Sequence, residues 1–466
     1  MRLIRTGLLT CAAIMFATAF SATGRAAEPK PRALASGGLN LPITKATLAN
    51  GLRVVMYSDH TSPTVAVTIV YDVGSRNEER GRSGFAHLFE HMMFQGSQEV
   101  PRGEHFKLVS GHGGTLNGTT NVDRTNYFEV LPSSELALGL FLEADRLKTL
   151  DISQSNFENQ RAVVKEEYRM RYENAAYMPA RIRLEELVYE GYWPYAHPTI
   201  GTLADLDAAQ LSWVKSFHTA YYAPNNAVLS IAGDFEPTEA MALVHQYFDD
   251  AKANPAVPKY SPEARPVQAA PRGDSLIDVH AKYPAIMYGW PGPMGRTPDT
   301  YALNLAAMLM TDGESSRLYR KLVRDRAVAA SVDASFNDYR GPGWFSLEVK
   351  VAGDSSIEKV EALLKQELAS LAKTGPTSGE MTKLKNRIRA AFILGFQSNL
   401  GKALNLGQYE LYWGDANLLN REVERYLAVS ADGIRRVIAS YLVAQKQTRV
   451  EDIPGSDMHV STGGAR

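Results

Sequence analysis

Gly84-Phe-Ala-His-Leu-Phe-Glu-His-Met-Met-Phe94 is the stretch around which the chain is organised. At about 100° per residue it resolves into two helical faces. Phe85, Leu88, Phe89, Met92 and Met93 follow the i, i+3, i+4, i+7, i+8 spacing of an apolar stripe, and His87, Glu90 and His91 cluster opposite it. Two histidines four apart stand one turn above each other, so both imidazoles can converge on one metal ion. Glu90 shares their face, close enough to act on a water bound to that ion. A solvated helix face could carry the same three residues, and the pattern arises by chance on the order of once in a hundred chains of this length. The opposed apolar face and a third candidate ligand downstream favour the metal.

That candidate lies in Ser153–Asn174, which reads as one long helix. Phe157, Gln160, Val163, Val164, Glu167 and Arg171 are expected on one face, which directs Glu167 inward and Glu166 toward solvent. An inward carboxylate is costly without a cation. A metal would supply one, and so would Arg171 at i+4, and periodicity leaves the two open.

Outward from these helices the pattern alternates. Leu52–Tyr57, Thr64–Tyr71, Thr125–Leu131 and Asn226–Ala232 read as strands, rich in β-branched and apolar residues. Helices are expected at 104–110, 133–147, 178–190, 207–222 and 237–249, and Gly111–Gly118 reads as a flexible bend. Residues 251–274 carry five prolines and read as a linker. The second half gives strands at 284–290, 328–337 and 344–352, with helices at 298–310, 315–325, 355–373, 377–397, 401–412, 417–427 and 430–443. The order repeats that of the first half, which points to a divergent internal duplication. The expected organisation is a domain over 40–250, a linker, a second domain over 275–453 without a metal motif, and a disordered Gly/Ser-rich tail over 454–466 containing an isolated His459.

The first 27 residues have a basic start, an apolar run to about Ala22 and a small-residue zone at Gly24–Ala27, which reads as a cleaved signal peptide. The run is short and too rich in Ala and Thr for a stable membrane anchor. Export is therefore expected, to the periplasm in a Gram-negative source. Cys11, the only cysteine, falls inside the leader. Removing Arg2, Arg5 and Arg25 from 50 basic residues leaves 47 against 51 acidic ones, a net charge of −4. With no basic run and no phosphate-binding glycine motif, nucleic acid and nucleotides are poor partners.

The chain resembles a pitrilysin-family (inverted zincin) zinc metallopeptidase of the half-size, mitochondrial-processing-peptidase-like branch. The resemblance is carried by Gly84–His91, Gly113–Asn117 with Thr125–Tyr127, Asn159–Glu167, Tyr222–Ala227 with Gly233–Phe235, and Ser315–Leu318. In that family the distal glutamate ligand lies about 76 positions after the second histidine, which from His91 lands on Glu167. The acidic residue often found seven positions earlier is Gln160 here. The resemblance implies an α+β fold of two similar domains, each an antiparallel-rich mixed sheet with helices packed on it, forming half of a clamshell chamber. It implies one Zn2+ per chain held by His87, His91 and Glu167, with Glu90 as general base. It implies peptide substrates that add to an edge strand, which makes Asn117, Gly118 and Thr119 candidate contacts; as bare residues they equally suit a turn.

The same resemblance marks a gap. Active relatives use an Arg and a Tyr, seven positions apart, from a unit facing the zinc. In Leu322–Val332 those positions hold Val323 and Ala330, and the shifted alternative pairs Arg324 with Ser331, which has no phenol. A heterodimer with a homologous subunit bearing the pair is therefore expected, ahead of a homodimer. The rival reading is a non-catalytic assembly or chaperone-like subunit of the same fold, which would tolerate damaged metal residues, whereas these are intact.

Overall fold

The computed structural model describes residues 40–455 except Val267. The leader, Cys11, His459 and the chain beyond Gly455 lie outside the described residues. The first domain is built on six strands: β1 (Thr44–Thr47), β2 (Arg53–Ser58), β3 (Thr64–Tyr71), β4 (Thr115–Thr120), β5 (Thr125–Pro132) and β6 (Ala227–Gly233). They pair in the order β1-β2-β6-β3-β5-β4, with β2 and β6 parallel and every other neighbour antiparallel. The second domain has β7 (Arg272–Asp278), β8 (Ala285–Met294), β9 (Ala329–Asn337), β10 (Pro342–Val351) and β11 (Thr448–Pro454), in the order β7-β11-β8-β10-β9. Here too one pair, β7 with β11, is parallel and the rest are antiparallel. Setting β1 aside, the two sheets superpose in order and direction, so the duplication is written in topology more clearly than in residues. This is the α+β fold of two similar domains expected from the sequence.

Each half lends a helix to the other. Strand β3 is buried along nearly its whole length because both of its faces are covered. Val65, Val67, Ile69 and Tyr71 join the core of the first domain. Val70 packs with Leu406 and Leu411, and Ala66 with Ala403, on a helix spanning Asn399–Trp413 of the second half, with Ala232 of β6 beside Ala66. Small residues let that helix approach closely: a Cβ on Gly407 would sit 3.2 Å from Val70 Cγ1. Conversely, helix Met178–Val188 of the first half packs on the second sheet, where Ala180, Leu184 and Val188 meet Ala285, Met287 and Val450.

Several elements depart from the sequence reading. Thr115–Thr120 is a strand rather than part of a bend, because its backbone is paired to β5 (Asn117 opposite Phe128, Gly118 opposite Tyr127) and the ladder overrides the local Gly and Asn signals. Strands β1, β7 and β11 were not expected, because their apolar content is low: β1 is defined by its short hairpin register with β2, and β7 and β11 by register with partners far along the chain. Strand β7 takes the last three residues of the stretch read as linker, and Pro454, read as tail, closes β11. The helix expected over 153–174 ends at Tyr168 and continues as a wider π turn, Arg169–Glu173. Residues 319–325 likewise form π turns. Val163 does not share the inward face; it is 44% exposed, since only the narrower stripe of Phe157, Gln160 and Val164 meets the core.

Candidate metal centre

Helix α1 (Phe85–Met92) carries the two histidines. Phe85, Leu88, Phe89 and Met92 are buried in the first core, which fixes the rotation of the helix and turns His87, Glu90 and His91 the other way. Its start is shaped by Gly84, at φ 92°, where a Cβ would meet the Ile200 carbonyl at 2.6 Å. The free amides of the first turn are satisfied by Glu78, whose carboxylate accepts from Gly84 N and Ala86 N, both at 2.8 Å. His197 Nε2 lies 3.1 Å from the same carboxylate. Burial raises the Glu78 carboxyl, and His197 and the two amides oppose that rise. The sequence reading missed Glu78, because a cap six residues before the helix leaves no local pattern.

Helix α2 (Glu104–Gly111) and strand β4 follow, then helix α3 (Leu136–Thr149) and helix α4 (Gln154–Tyr168), which brings Glu167 to α1. His91 Nε2 is 3.2 Å and His87 Nε2 3.8 Å from Glu167 Oε2. The ligand atoms of His87, His91 and Glu167 all lie within 4.8 Å of one another, the one such group of three among the described residues. Tetrahedral zinc at about 2.0–2.1 Å from its ligands separates them by roughly 3.3–3.5 Å, so the triad fits that ion with small side-chain adjustment. Burial lowers the His87 pKa, which favours the neutral imidazole a metal needs. The donor chemistry and spacing fit zinc.

Glu167 does not choose between the two cations the sequence offered. One oxygen faces the histidines and the other accepts from Arg171 Nη1 at 2.6 Å. Burial opposes its ionisation, but the His91 hydrogen bond and the Arg171 charge hold its pKa below the ordinary value. Glu166 points to solvent and pairs with Arg169 at 3.2 Å. Gln160 is buried and bonds Asn159.

Strand β4 borders this group and, among the described residues, pairs only with β5, which leaves its other edge free. A Cβ on Gly118 would stand 3.1 Å from Glu90 Cγ, so the glycine lets the edge strand lie directly against the candidate base. Asn117 Oδ1 accepts from Gly118 N at 2.8 Å. The Thr119 hydroxyl is engaged internally, with Asn126 at 2.6 Å and with the half-buried Arg124. Tyr127 of β5 ties sheet to helix by donating to the Phe89 carbonyl at 2.9 Å. Val323 is half-buried against the second core, Ala330 is exposed at the start of β9, and Arg324 pairs with Asp325 at 2.8 Å.

Residues 53–194, which include α1 and Glu167, match the family model described as Insulinase (Peptidase family M16). Residues 210–388 match the one described as Peptidase M16 inactive domain. The zinc protease PqqE of Helicobacter pylori is 30% identical over 87% of this chain and 91% of its own length. The chain belongs to peptidase family M16. An uncharacterised zinc protease of Mycobacterium leprae is 26% identical over 84% of the chain and 87% of its own length. A protease from Helicobacter pylori has the same structure at a TM-score of 0.84 with 28% identity, over 89% of this chain and all of that one. The first half of the periplasmic protease PqqL from Escherichia coli shares the fold at a TM-score of 0.73 with 18% identity, over 91% of this chain and 95% of that one. Against full-length PqqL the chain covers 49% of that protein. M16 proteins thus supply the zinc-protease likeness, and among the described residues no helix is long and apolar enough to cross a membrane.

Proposed function

We propose that this M16 chain is an exported zinc-dependent endopeptidase acting on peptides or unfolded polypeptides, with His87, His91 and Glu167 as ligands of one zinc ion and Glu90 as general base. The observation that carries the reading is the convergence of His87, His91 and Glu167 on one point, with Glu90 on the same helix and against a free strand edge.

The residues divide the work. An extended peptide pairs with the open edge of β4 near Asn117–Thr119, which lays its backbone across the face of α1. Zinc, when bound, supplies Lewis acidity to a water and to the scissile carbonyl. Glu90 takes the proton from the attacking water and returns it to the departing amine. Arg171 holds the far oxygen of Glu167, which keeps the near oxygen facing the histidines. In Glu90→Gln the expected result is unchanged zinc content and folding with hydrolysis reduced by about 100-fold or more, read on a fluorogenic peptide. Near-normal turnover in the purified variant rejects the mechanism.

The proposal extends to a partner. Val323 and Ala330 offer neither a guanidinium nor a phenol where active relatives carry them, and the chain spans about half of full-length PqqL. A homologous subunit bearing the Arg/Tyr pair would complete the site. The chain alone is expected to bind zinc and cleave poorly, and the partner to restore cleavage; full activity from the homogeneous chain rejects the divided site.

A further inference from the structure

The loop between β9 and β10, residues 338–341, leaves the second domain and enters the first. Arg340 Nη1 donates to both carboxylate oxygens of Asp72, at 2.8 and 3.0 Å. Its backbone N–H donates to Asp123 Oδ2 at 2.8 Å. The next amide, Gly341 N, donates to the Tyr195 hydroxyl at 2.9 Å, and that hydroxyl donates to Asp123 Oδ1 at 2.8 Å. A side chain at Gly341 has no room, since its Cβ would stand 2.6 Å from the Tyr195 oxygen. From the first domain, the buried Arg76 reaches Asp72 and, at 2.8 Å, Asp123 Oδ1. Two carboxylates are thus balanced by two guanidiniums, one from each domain.

The place of this cluster matters more than its strength. Asp72 directly follows β3, and Asp123 sits in the turn that joins β4 to β5. Ser75 N and Arg76 N donate to the Asn121 and Val122 carbonyls of that same turn, at 3.3 and 3.0 Å. Two residues after Arg76 comes Glu78, whose carboxylate caps the metal helix. The cluster therefore grips the tip of the edge-strand hairpin and the segment that sets the start of α1. Without the Arg340 guanidinium, Arg76 is the one direct ion-pair partner left to the two carboxylates in a largely buried setting, with Arg53 and Arg124 acting only at longer range, an arrangement that strains the turn.

We propose that Arg340 is a positioning residue through which the metal-free domain fixes the β4–β5 turn, and with it the strand edge that receives the peptide. The proposal rests on the reading of β4 as the peptide-binding edge.

The test compares the full chain, with its partner if activity requires one, as wild type, Arg340→Leu and Arg340→Lys. Amide hydrogen exchange and peptide hydrolysis are measured on each. In Arg340→Leu, exchange in residues 115–125 should accelerate about tenfold or more, with β1, β2 and the second sheet unchanged. KM should rise about tenfold, with kcat within about twofold and zinc content unchanged. Arg340→Lys should recover part of both effects, since it restores the charge but not the fork of donors. Exchange that is unchanged, or that accelerates uniformly across both domains, overturns the proposal, as does a loss confined to kcat. If the wild type cleaves no peptide, the peptidase reading fails by itself, and the exchange comparison still decides whether Arg340 holds the turn.

Discussion

Glu167 shows how one side chain can satisfy two demands. Its Oε2 lies 3.2 Å from His91 and its Oε1 2.6 Å from Arg171, so the arginine that competes with a metal in a helical-wheel argument instead orients the candidate ligand. Glu167→Gln should therefore weaken zinc binding by roughly tenfold or more, whereas Glu166→Gln, whose carboxylate is solvated, should leave it unchanged. Equal zinc retention in the two, measured by competition with a chelator, contradicts the assignment. Gly118 makes a second case. An alanine there pushes its Cβ to 3.1 Å from both Glu90 Cγ and Tyr127 Cδ1, and a displaced base loses its line to the water. Gly118→Ala should keep zinc and lower hydrolysis by about 10- to 100-fold. Unaltered turnover would show that the strand does not set the position of Glu90.

At the scale of elements, α1 is held from three directions: its apolar stripe in the core, Glu78 at its amino end and Tyr127 on the Phe89 carbonyl. The apolar stripe is legible in sequence because a period of 3.6 is local, and the cap and the tyrosine are not. Strand β11 carries a feature with a measurable consequence. The Asp452 carboxyl is buried beside that of Asp278. Burial, with Asp278 and Glu348 nearby and only Arg181 opposing, pushes its pKa up to about 7. A carboxyl raised above its unfolded value binds its proton more tightly in the fold. The contribution of this group to stability should then be greatest below about pH 4, fall as pH rises through the window up to about 7, and level off above it. Asp452→Asn removes that slope. The difference between pH 5 and pH 8 in urea denaturation should shrink by an amount on the order of 2 kcal/mol. An undiminished slope places the titration elsewhere.

The whole molecule is a duplicated sheet with exchanged helices. Asn399 Nδ2 donates to the Thr64 carbonyl at 3.0 Å, Lys402 pairs with Asp59, and Arg53 donates to the Glu410 carbonyl at 2.9 Å, all across the two halves. Met178–Val188 repays the exchange on the other sheet. Neither half covers its own sheet on both faces, so each alone exposes an apolar surface. Residues 40–260 expressed alone are expected to aggregate, and co-expression with 261–455 to give a soluble complex. A soluble, cooperatively folded first half argues against this mutual dependence. Gly407→Val, which drives a branched side chain toward Val70 Cγ1, should destabilise the intact chain by about 1–3 kcal/mol. A Tm equal to wild type in calorimetry shows that the helix has room to move.

Local periodicity and spacing in the sequence determined the two-faced helix α1, the inward choice of Glu167 over Glu166, and the central strands β3 and β6, because each is specified by residues within a few turns of one another. The Glu78 cap, the free edge of β4, the strands β1, β7 and β11, and the exchange of helices were decided only in the tertiary structure. The cap and β1 have near partners but no repeating pattern that marks them, and the other features depend on remote ones: β7 pairs with β11, and Asn399 meets Thr64 across 335 positions. A hydrogen bond or a sheet register between such residues has no period to read, since it exists only once the chain has closed on itself.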